Sequence, residues 1–207
     1  KLQLVRVVAI EKNELPLRHL KVVLNDKRLA SLKDAIENSC PTLNDGECGT
    51  HHFSINGCGA SGNNAKEIRV EITLIREDLR QVIPKLANDA KFAGYFDAIF
   101  HDAFSPLREP YLWTIDLFEC YKRLLKYPAD KHFGGRVVTY SAASAVRSAL
   151  EQCGFALRRT DALGAKRGGT LAILTKREDG IQLEDEALAL LEDELLRMHG
   201  RPGVPHR

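Results

Sequence analysis

Three acidic residues, Glu11, Asp78 and Asp102, each follow a run of β-branched and apolar residues that is typical of a strand. In an open α/β sheet, ligands bind outside the carboxyl ends of the strands. Three carboxylates at one such edge would line a polar cleft of hydrogen-bond acceptors, suited to ribose hydroxyls, an adenine amino group or a substrate amine. An acid at a strand end can also simply cap the next helix, and this alternative is strongest for Asp78.

The segment after Asp102 places aromatic rings and prolines beside the acid. It reads DAFSP from Asp102 and EPYLWT from Glu109, and we call residues 102–114 the Asp102 loop. Prolines reduce the conformational freedom of a loop, and aromatic faces can stack on a planar base. One interpretation is therefore a base-binding loop that carries Phe104 and Trp113. The alternative is that these two rings only anchor the loop on the core.

Strands and helices alternate along most of the chain, which predicts a doubly wound α/β sheet. The last two strands are joined by a short connection, which predicts an antiparallel hairpin at the C-terminal end of a mostly parallel sheet. The predicted strands are Leu4–Ile10, Ile68–Ile75, Phe96–His101, Arg136–Tyr140, Phe155–Thr160 and Thr170–Lys176, and the predicted helices are Glu14–Asn38, Glu77–Leu86, Leu112–Leu125, Ser144–Gln152 and Leu183–Met198. The segment Cys40–Asn64, rich in Asn, Gly, Ser and Thr, is predicted to be a long loop.

The composition indicates an ordinary globular protein without a membrane-spanning segment. The 207 residues carry 30 Lys and Arg against 28 Asp and Glu, a formal net charge of +2, and 44% of them are hydrophobic. No apolar run approaches the ~18 residues of a membrane span. A net charge this small argues against a purely electrostatic nucleic-acid binder. The first residues lack the order of a secretory signal peptide, so we expect a cytoplasmic protein.

The five cysteines have an odd count and an irregular spacing, which argues against a secreted disulfide framework. Cys120 and Cys153 lie within apolar helical patterns and are predicted to be small core residues. The remaining cysteines share the predicted loop with two histidines, as Cys40, Cys48, His51, His52 and Cys58. Thiolate and imidazole groups suit zinc, but the spacing lacks a Cys-x-x-Cys knuckle. We therefore expect an unliganded polar loop and no metal.

Four motifs occur in one order along the chain. The segment YFDAIFHDAFSPLREPYLWTIDLF holds the acid–aromatic–Ser-Pro loop and a Pro-x-x-Trp-Thr helix start, GGRVVTYSAASAVRSALEQCGF holds a Thr-Tyr-Ser-Ala strand end, and GAKR is a basic turn. In this order the motifs resemble the methyltransferase domain of MnmC-type enzymes. The resemblance runs from Leu4 to Lys176 and excludes Cys40–Asn64, which looks like an insertion.

This resemblance implies a Rossmann-like, S-adenosylmethionine-dependent methyltransferase that N-methylates 5-aminomethyl(-2-thio)uridine at the tRNA wobble position. By position, Glu11 would bind the cofactor ribose, Asp78 would lie near its adenine, and Asp102 would be the catalytic carboxylate, beside both the cofactor and the substrate amine. The residues implied in substrate binding are Phe104, Pro106, Trp113, Tyr140, Lys166 and Arg167. The expected partner is the anticodon region of tRNA, with no DNA, membrane, metal or flavin.

Methyltransferases of this class begin with a strand and a glycine-rich turn that approaches the cofactor, whereas this chain starts at what corresponds to their second strand. The one Gly-x-Gly-x-x-Gly match, from Gly57 to Gly62, leads into the run Ile68–Ile75 rather than into a helix, so we do not assign it to the cofactor. A gap in the middle of a sheet would expose strand edges and apolar faces. We therefore expect an N-terminal segment or an oligomer partner to complete the sheet.

We predict a methyltransferase-like domain over residues 1–176, with a long loop insertion at 39–66, and an acidic C-terminal helix and tail over 177–207. Two alternatives stay open: a methyltransferase acting on another amine, and a catalytically silent binding module of the same fold. The absence of the glycine turn favours the silent module, whereas the intact Asp102 loop opposes it. His101 replaces the apolar residue usual at its position in the family and is predicted to be a packed core histidine.

Overall fold

The computed structural model describes residues 3–13, 50–58, 67–127, 134–160 and 168–175. The chain divides into two compact units, Lys1–Val82 and Ile83–Arg207, which we call the first and second units. The predicted helices Glu14–Asn38 and Leu183–Met198 lie outside the described residues. None of the helices in the described part of the chain combines the length and the apolar character needed to cross a membrane.

The first unit contains a three-stranded sheet built from β1 (Gln3–Ile10), β2 (Thr50–Cys58) and β3 (Glu67–Ile75). β3 lies in the middle, parallel to β1 and antiparallel to β2. β1 and β3 are β-branched runs that the sequence predicts as strands. Because Ile10 is paired with Ile75, the carboxyl ends of these two parallel strands meet at one edge of the sheet.

The expectation that Cys40–Asn64 is a loop is wrong for Thr50–Cys58, which forms β2. This nine-residue strand pairs antiparallel with β3 along its whole length. The hydrogen bonds to β3 outweigh the turn-rich composition of the segment, since strand formation depends more on the neighbouring strand than on intrinsic propensity. The alternating apolar residues Phe53 and Ile55 are the sequence signal of the strand. The rest of the predicted loop lies outside the described residues.

The second unit contains a four-stranded sheet in the order β4-β5-β7-β6. Its strands are β4 (Ala98–Phe100), β5 (Arg136–Thr139), β6 (Phe155–Arg159) and β7 (Thr170–Leu174). β4 and β5 are parallel, and β7 lies between β5 and β6, antiparallel to both. The mixed α/β fold with an antiparallel hairpin of the last two strands is therefore confirmed. The position of β7 between β5 and β6 has no signal in the local sequence.

The described helices are α1 (Leu79–Asn88), α2 (Ile115–Leu124) and α3 (Ser144–Gln152), with short 3₁₀ helices at Ala90–Phe92 and Pro110–Leu112. The core of the second unit consists of fully buried side chains at helical spacing on α2, namely Leu117, Phe118, Tyr121 and Leu124, with Trp113, Val146 and Leu150 beside them. Cys120 and Cys153 are buried, as predicted. Burial raises the pKa of Cys153 to about 12, so this side chain stays a thiol.

Gly169 allows the start of β7 to approach the end of β5. A Cβ atom at this position would overlap the carbonyl oxygen of Thr139 and lie 2.8 Å from the Cα of Tyr140. The buried Arg147 guanidinium reinforces the junction, because its Nη2 donates to the Gly169 carbonyl (3.3 Å) and its Nε donates to Thr170 Oγ1 (3.0 Å). The end of β5, which carries Tyr140, is thereby fixed against β7.

Candidate active site

Asp102 lies at the carboxyl end of β4, immediately after the last residue that pairs with β5. The backbone N–H of His101 donates to the carbonyl of Val138 (2.8 Å), which continues the parallel pairing one residue beyond β4. Asp102 follows, with its side chain exposed. Because β5 is the parallel neighbour of β4, Tyr140 emerges at the same edge of the sheet. The fold thus provides the strand-end position that favours ligand binding.

Two side chains hold the backbone of the Asp102 loop. The indole Nε1–H of Trp113 donates to the carbonyl of Phe104 (2.8 Å), and the hydroxyl of Tyr140 donates to the carbonyl of Ala103 (2.7 Å). Both accepting carbonyls lie within two residues of Asp102. Together with the His101 N–H before it, these bonds attach the carboxylate to a backbone that needs little reorganisation when a ligand binds.

A tight turn follows at Ser105. The carbonyl of Ser105 accepts hydrogen bonds from the backbone N–H groups of Arg108 (2.8 Å) and Glu109 (3.0 Å). Pro106 occupies the second position of this turn, where its fixed φ angle is favourable. Pro106, predicted in the base pocket, therefore has a structural reason to be present: it fixes the bend that projects the neighbouring side chains.

The aromatic residues of the loop separate into one anchor and two exposed rings. Trp113 is only 1% exposed, whereas Phe104 is 52% and Tyr140 is 44% exposed. This burial fits the alternative that the Trp113 indole anchors the loop on the core, and the assignment of Trp113 to substrate binding stays a prediction. Phe104 and Tyr140 remain available to a ligand beside Asp102.

His101 is a packed core histidine, as predicted. Its ring is buried, its Nδ1 lies 2.9 Å from the hydroxyl oxygen of Tyr121, and its edge contacts Trp113 at a centroid distance of 4.5 Å. Burial lowers its pKa to about 4, with the backbone of Leu112 opposing the fall. His101 is therefore neutral near neutral pH, and its position behind Trp113 makes it part of the support of the loop.

The negative charge of Asp102 acts on the hydroxyl of Tyr140. Burial, and second to it the negative charge of Asp102, raise the pKa of the Tyr140 hydroxyl. The hydroxyl therefore keeps its proton near neutral pH and stays a hydrogen-bond donor. The site offers a carboxylate acceptor next to a tyrosine that fixes the adjacent backbone, which is an arrangement suited to bind a protonated or partly protonated amine.

In the first unit, Glu11 and Asp78 follow the neighbouring parallel strands β1 and β3. Asp78 caps α1, since its Oδ1 accepts from the backbone N–H of Arg80 (2.9 Å), and its Oδ2 pairs with Lys12 Nζ (2.8 Å). The hydrogen bond from Lys12, and then that from Arg80, lower the pKa of Asp78. Glu11 accepts from the backbone N–H of Asn13 through Oε1 (2.6 Å). Asp78 thus performs the capping role, while Glu11 keeps a carboxylate oxygen for a ligand.

The glycine-rich match begins at the end of β2, where Gly57 and Cys58 pair with β3. Its flanking strands are antiparallel neighbours, whereas a nucleotide-binding glycine turn joins a strand to a helix that leads to a parallel strand. The remaining residues of the match lie outside the described residues, and so do Lys166 and Arg167. Among the side chains that the structure describes, no group of three His, Cys, Asp or Glu residues could hold a metal ion.

Two arginines of this region, Arg147 and Arg108, are not among the site residues predicted from the sequence. Arg147 lies within an ordinary amphipathic helix, and its role at the β5–β7 junction depends on the position of β7 in the sheet. Arg108 lies in the Asp102 loop itself, with its guanidinium carbon 5.5 Å from the centre of the Phe104 ring. A basic residue four positions after an exposed aromatic one, within a proline-stiffened turn, was the available signal for Arg108.

The α/β fold and the strand-end acid loop define the class of the protein, a Rossmann-like methyltransferase. The sequence matches the S-adenosyl-L-methionine-dependent methyltransferase family over residues 51–175, more than half of the chain, and the chain belongs to this family. The match begins within β2, so that strand is largely part of the matched region.

Several relatives agree with this assignment. The chain is 32% identical, over 77% of its length and 21% of the relative's, to the tRNA 5-methylaminomethyl-2-thiouridine biosynthesis bifunctional protein MnmC of Paraburkholderia xenovorans. It is 42% identical to the uncharacterized protein MJ0670 of Methanocaldococcus jannaschii, over 49% of its length and 25% of the relative's. The crystal structure of MNMC2 from Aquifex aeolicus shares the fold, with a TM-score of 0.54 and 20% identity over 95% of this chain and 59% of that one.

The resemblance to the methyltransferase domain of MnmC-type enzymes is thereby confirmed. The chain spans about a fifth of the length of the first MnmC relative that it matches.

Proposed function

We propose that this chain transfers a methyl group from S-adenosylmethionine to the amine of 5-aminomethyl(-2-thio)uridine at the wobble position of tRNA. The observation that carries the proposal is the Asp102 loop, which presents an exposed carboxylate beside the exposed rings of Phe104 and Tyr140. The similarity to MnmC, whose name refers to tRNA 5-methylaminomethyl-2-thiouridine biosynthesis, supports this choice of substrate.

Asp102 acts on the substrate amine. An aminomethyl group is mostly protonated near neutral pH, and only its neutral form has the lone pair that attacks a methyl group. The Asp102 carboxylate orients the ammonium group by a charge-assisted hydrogen bond and takes up a proton from it, directly or through water. The nitrogen then forms the new N–C bond as the donor's S–C bond breaks. Holding the amine in line with the methyl group provides much of the acceleration.

Glu11 and Asp78 are the residues that we assign to the cofactor. When bound, S-adenosylmethionine supplies an electrophilic sulfonium methyl group. The carboxylate oxygen that Glu11 retains suits a ribose hydroxyl, and each oxygen of the capping Asp78 has a second lone pair for an adenine amino group. Asp102 borders the cofactor as well as the amine.

The pocket for the target base is assigned to Phe104, Pro106 and Tyr140, with Trp113 as a positioning residue. Phe104 offers a ring face for stacking, and the turn at Pro106 sets the direction of that ring. Lys166 and Arg167 are assigned to phosphate contacts because they share a basic turn that precedes β7 in sequence. The anticodon region of tRNA is the proposed partner.

We further propose that an additional strand, from an N-terminal segment or an oligomer partner, pairs with an edge strand, β1 or β4, and completes its sheet. Within the described residues, β1 pairs only with β3 and β4 pairs only with β5. Leu4, Val5 and Val7 of β1 are exposed, and Phe100 of β4 is 78% exposed. Exposed apolar side chains on edge strands are what a neighbouring strand with its covering helices would bury.

The experiment that tests the proposed function compares two tRNAs in a methyl-transfer assay with labelled S-adenosylmethionine. One tRNA carries 5-aminomethyluridine at the wobble position, and the other carries unmodified uridine there. We expect label in the first tRNA only, because the second lacks the nucleophilic amine. Equal labelling of both tRNAs would contradict the proposed substrate, and transfer to a free amine but to neither tRNA would favour a methyltransferase with another substrate.

A further inference from the structure

Arg108 forms a pair with Phe104 at the outer surface of the Asp102 loop. Its guanidinium carbon lies 5.5 Å from the centre of the Phe104 ring, within the range of a cation–π contact. Both side chains are exposed, and no described carboxylate pairs with the Arg108 guanidinium. The pair is not part of the core, and an exposed contact of this type contributes only about 0.5–1 kcal/mol. Fold stability therefore does not explain why it is there.

The backbone beneath this pair is fixed. The hydrogen bond from the Arg108 N–H to the Ser105 carbonyl (2.8 Å) closes the turn, and the Trp113 indole holds the Phe104 carbonyl (2.8 Å). Leu107, between the two, is 96% exposed. A rigid turn that projects a cation, an aromatic ring and an aliphatic side chain into solvent pays little entropy when it binds a ligand.

We propose that Arg108 and Leu107 form a surface that binds a single-stranded RNA nucleotide next to the base that Phe104 holds, a proposal that rests on the proposed function. Aromatic rings and guanidinium planes stack on unpaired bases, and the guanidinium also pairs with phosphate. The Asp102 carboxylate in the same loop would repel a phosphate. We therefore assign the phosphate contact to Arg108, which follows the turn at Ser105. Since the chain's net charge of +2 attracts RNA only weakly, a local cation such as Arg108 would add to the attraction.

This surface would distinguish a nucleotide within an RNA loop from a free nucleoside. A free nucleoside would meet only the base pocket, whereas a nucleotide within an anticodon loop would also contact Arg108 and Leu107. The enzyme is therefore expected to prefer a loop of RNA over the isolated nucleoside. The preference should reside in binding and not in the methyl-transfer step, because Arg108 does not contact the amine.

The test uses the whole chain and an anticodon stem-loop RNA that carries 5-aminomethyluridine. The variants are Arg108→Ala, Arg108→Lys and, as a matched control, Lys91→Ala. Lys91 lies 5.0 Å from the centre of the Phe92 ring, so it forms the same kind of pair outside the Asp102 loop. Both positions are exposed, and the three variants should fold as the parent chain does. The RNA dissociation constant is measured over a series of salt concentrations, and KM and kcat are measured at one of them.

For Arg108→Ala we expect about tenfold weaker RNA binding and a salt slope smaller by about one. KM for the RNA should rise while kcat at saturating RNA stays unchanged. Arg108→Lys should keep the salt slope and recover part of the affinity, because lysine contacts phosphate but stacks poorly. Lys91→Ala should match the parent.

Unchanged RNA affinity in Arg108→Ala, a loss equal to that of Lys91→Ala, or no RNA binding by the parent chain would overturn the proposal. Failure of the proposed function is distinguishable, since it is an absence of methyl transfer. If the parent binds the RNA with an Arg108-dependent salt slope but transfers no methyl group, the nucleotide surface stands and the proposed reaction does not.

Discussion

Asp102 owes its position to three contacts made by its neighbours. His101 extends the pairing of β4, and Tyr140 and Trp113 hold the two carbonyls that follow Asp102. The carboxylate itself is exposed, so it contributes little to the stability of the fold. This separation allows the chemical role of the carboxylate to be tested without disturbing the loop.

We predict that Asp102→Asn lowers the rate of methyl transfer about 100-fold or more, because the amide cannot take up the proton of the ammonium group. The thermal unfolding midpoint should change little. Asp97→Asn is the matched control, since Asp97 is also exposed, lies just before β4 and pairs with Lys126. Full activity in Asp102→Asn would remove Asp102 from the mechanism.

His101 makes stability depend on pH. Its pKa is about 4 in the folded chain and 6.5 in the unfolded chain. Below pH 6.5 the unfolded chain therefore binds a proton that the folded chain does not. The folded state therefore loses stability as the pH falls from about 6.5 to 4, by about 3 kcal/mol in total. His101→Leu combined with Tyr121→Phe removes the titrating ring without stranding the Tyr121 hydroxyl. The pH dependence of unfolding by urea should be flatter for this double variant, and an unchanged pH dependence would contradict the role of His101.

The local sequence pattern predicts the acidic residues that follow strand ends. It placed Asp102 after β4, Glu11 after β1 and the capping Asp78 after β3, because strand ends follow from local apolar patterns. It could not distinguish the buried Trp113 from the exposed Phe104, since both lie in one loop and only the packing of α2 decides which ring is covered.

At the scale of elements, the junction of β5 and β7 is the tightest contact in the candidate site region. Gly169 has room for no Cβ atom, because the Thr139 carbonyl occupies that space. This close approach fixes Tyr140, the residue after Thr139, and with it the carbonyl of Ala103. The Asp102 loop, to which we assign the chemistry, is therefore supported by a strand that comes much later in the chain.

We predict that Gly169→Ala lowers the free energy of unfolding by about 2–4 kcal/mol, since backbone must move to accept the methyl group. Gly94→Ala is a useful comparison. Gly94 has a φ angle of 63°, but its Cβ would have ordinary contacts, with Leu125 O at 3.9 Å. Gly94→Ala should lower the free energy of unfolding by only about 1–2 kcal/mol, because alanine is disfavoured in the left-handed conformation. Equal stability of Gly169→Ala and the parent in urea unfolding would show that the junction is looser than described.

Local sequence patterns predicted most elements but failed at β2. The polar, glycine-containing segment from Thr50 to Cys58 forms a strand because β3 is available beside it. Likewise, the insertion of β7 between β5 and β6 is a property of the whole sheet. In both cases the deciding interaction is a partner distant in sequence, which a window of neighbouring residues does not contain.

At the scale of the whole molecule, the described residues form two sheets, and each has an edge strand that carries exposed apolar side chains. These strands are β1, with Leu4, Val5 and Val7, and β4, with Phe100. Membership of the methyltransferase family and the fold shared with MNMC2 account for the alternation of strands and helices that the sequence predicts. The family implies S-adenosylmethionine as the cofactor, and binding measurements test the residues that we assign to it.

We predict that S-adenosylmethionine binds more tightly to a version of the chain extended at its N-terminus by native sequence than to the 207 residues alone. The reason is that an added strand would cover the exposed residues of β1 or β4 and order the edge at which Glu11 lies. Calorimetric titration of both versions measures the difference. Equal, tight binding by both would contradict the need for a further strand, and binding by neither would favour a catalytically silent module.

Methylation of the aminomethyl nitrogen of a wobble uridine is the activity that we propose for this chain. The most direct test incubates the chain with S-adenosylmethionine and tRNA carrying 5-aminomethyluridine, digests the tRNA to nucleosides and identifies the methylated product by mass spectrometry. We expect conversion of 5-aminomethyluridine to 5-methylaminomethyluridine, with no other nucleoside changed. A methyl group on a different nucleoside, or unreacted 5-aminomethyluridine under conditions in which the cofactor binds, would contradict it.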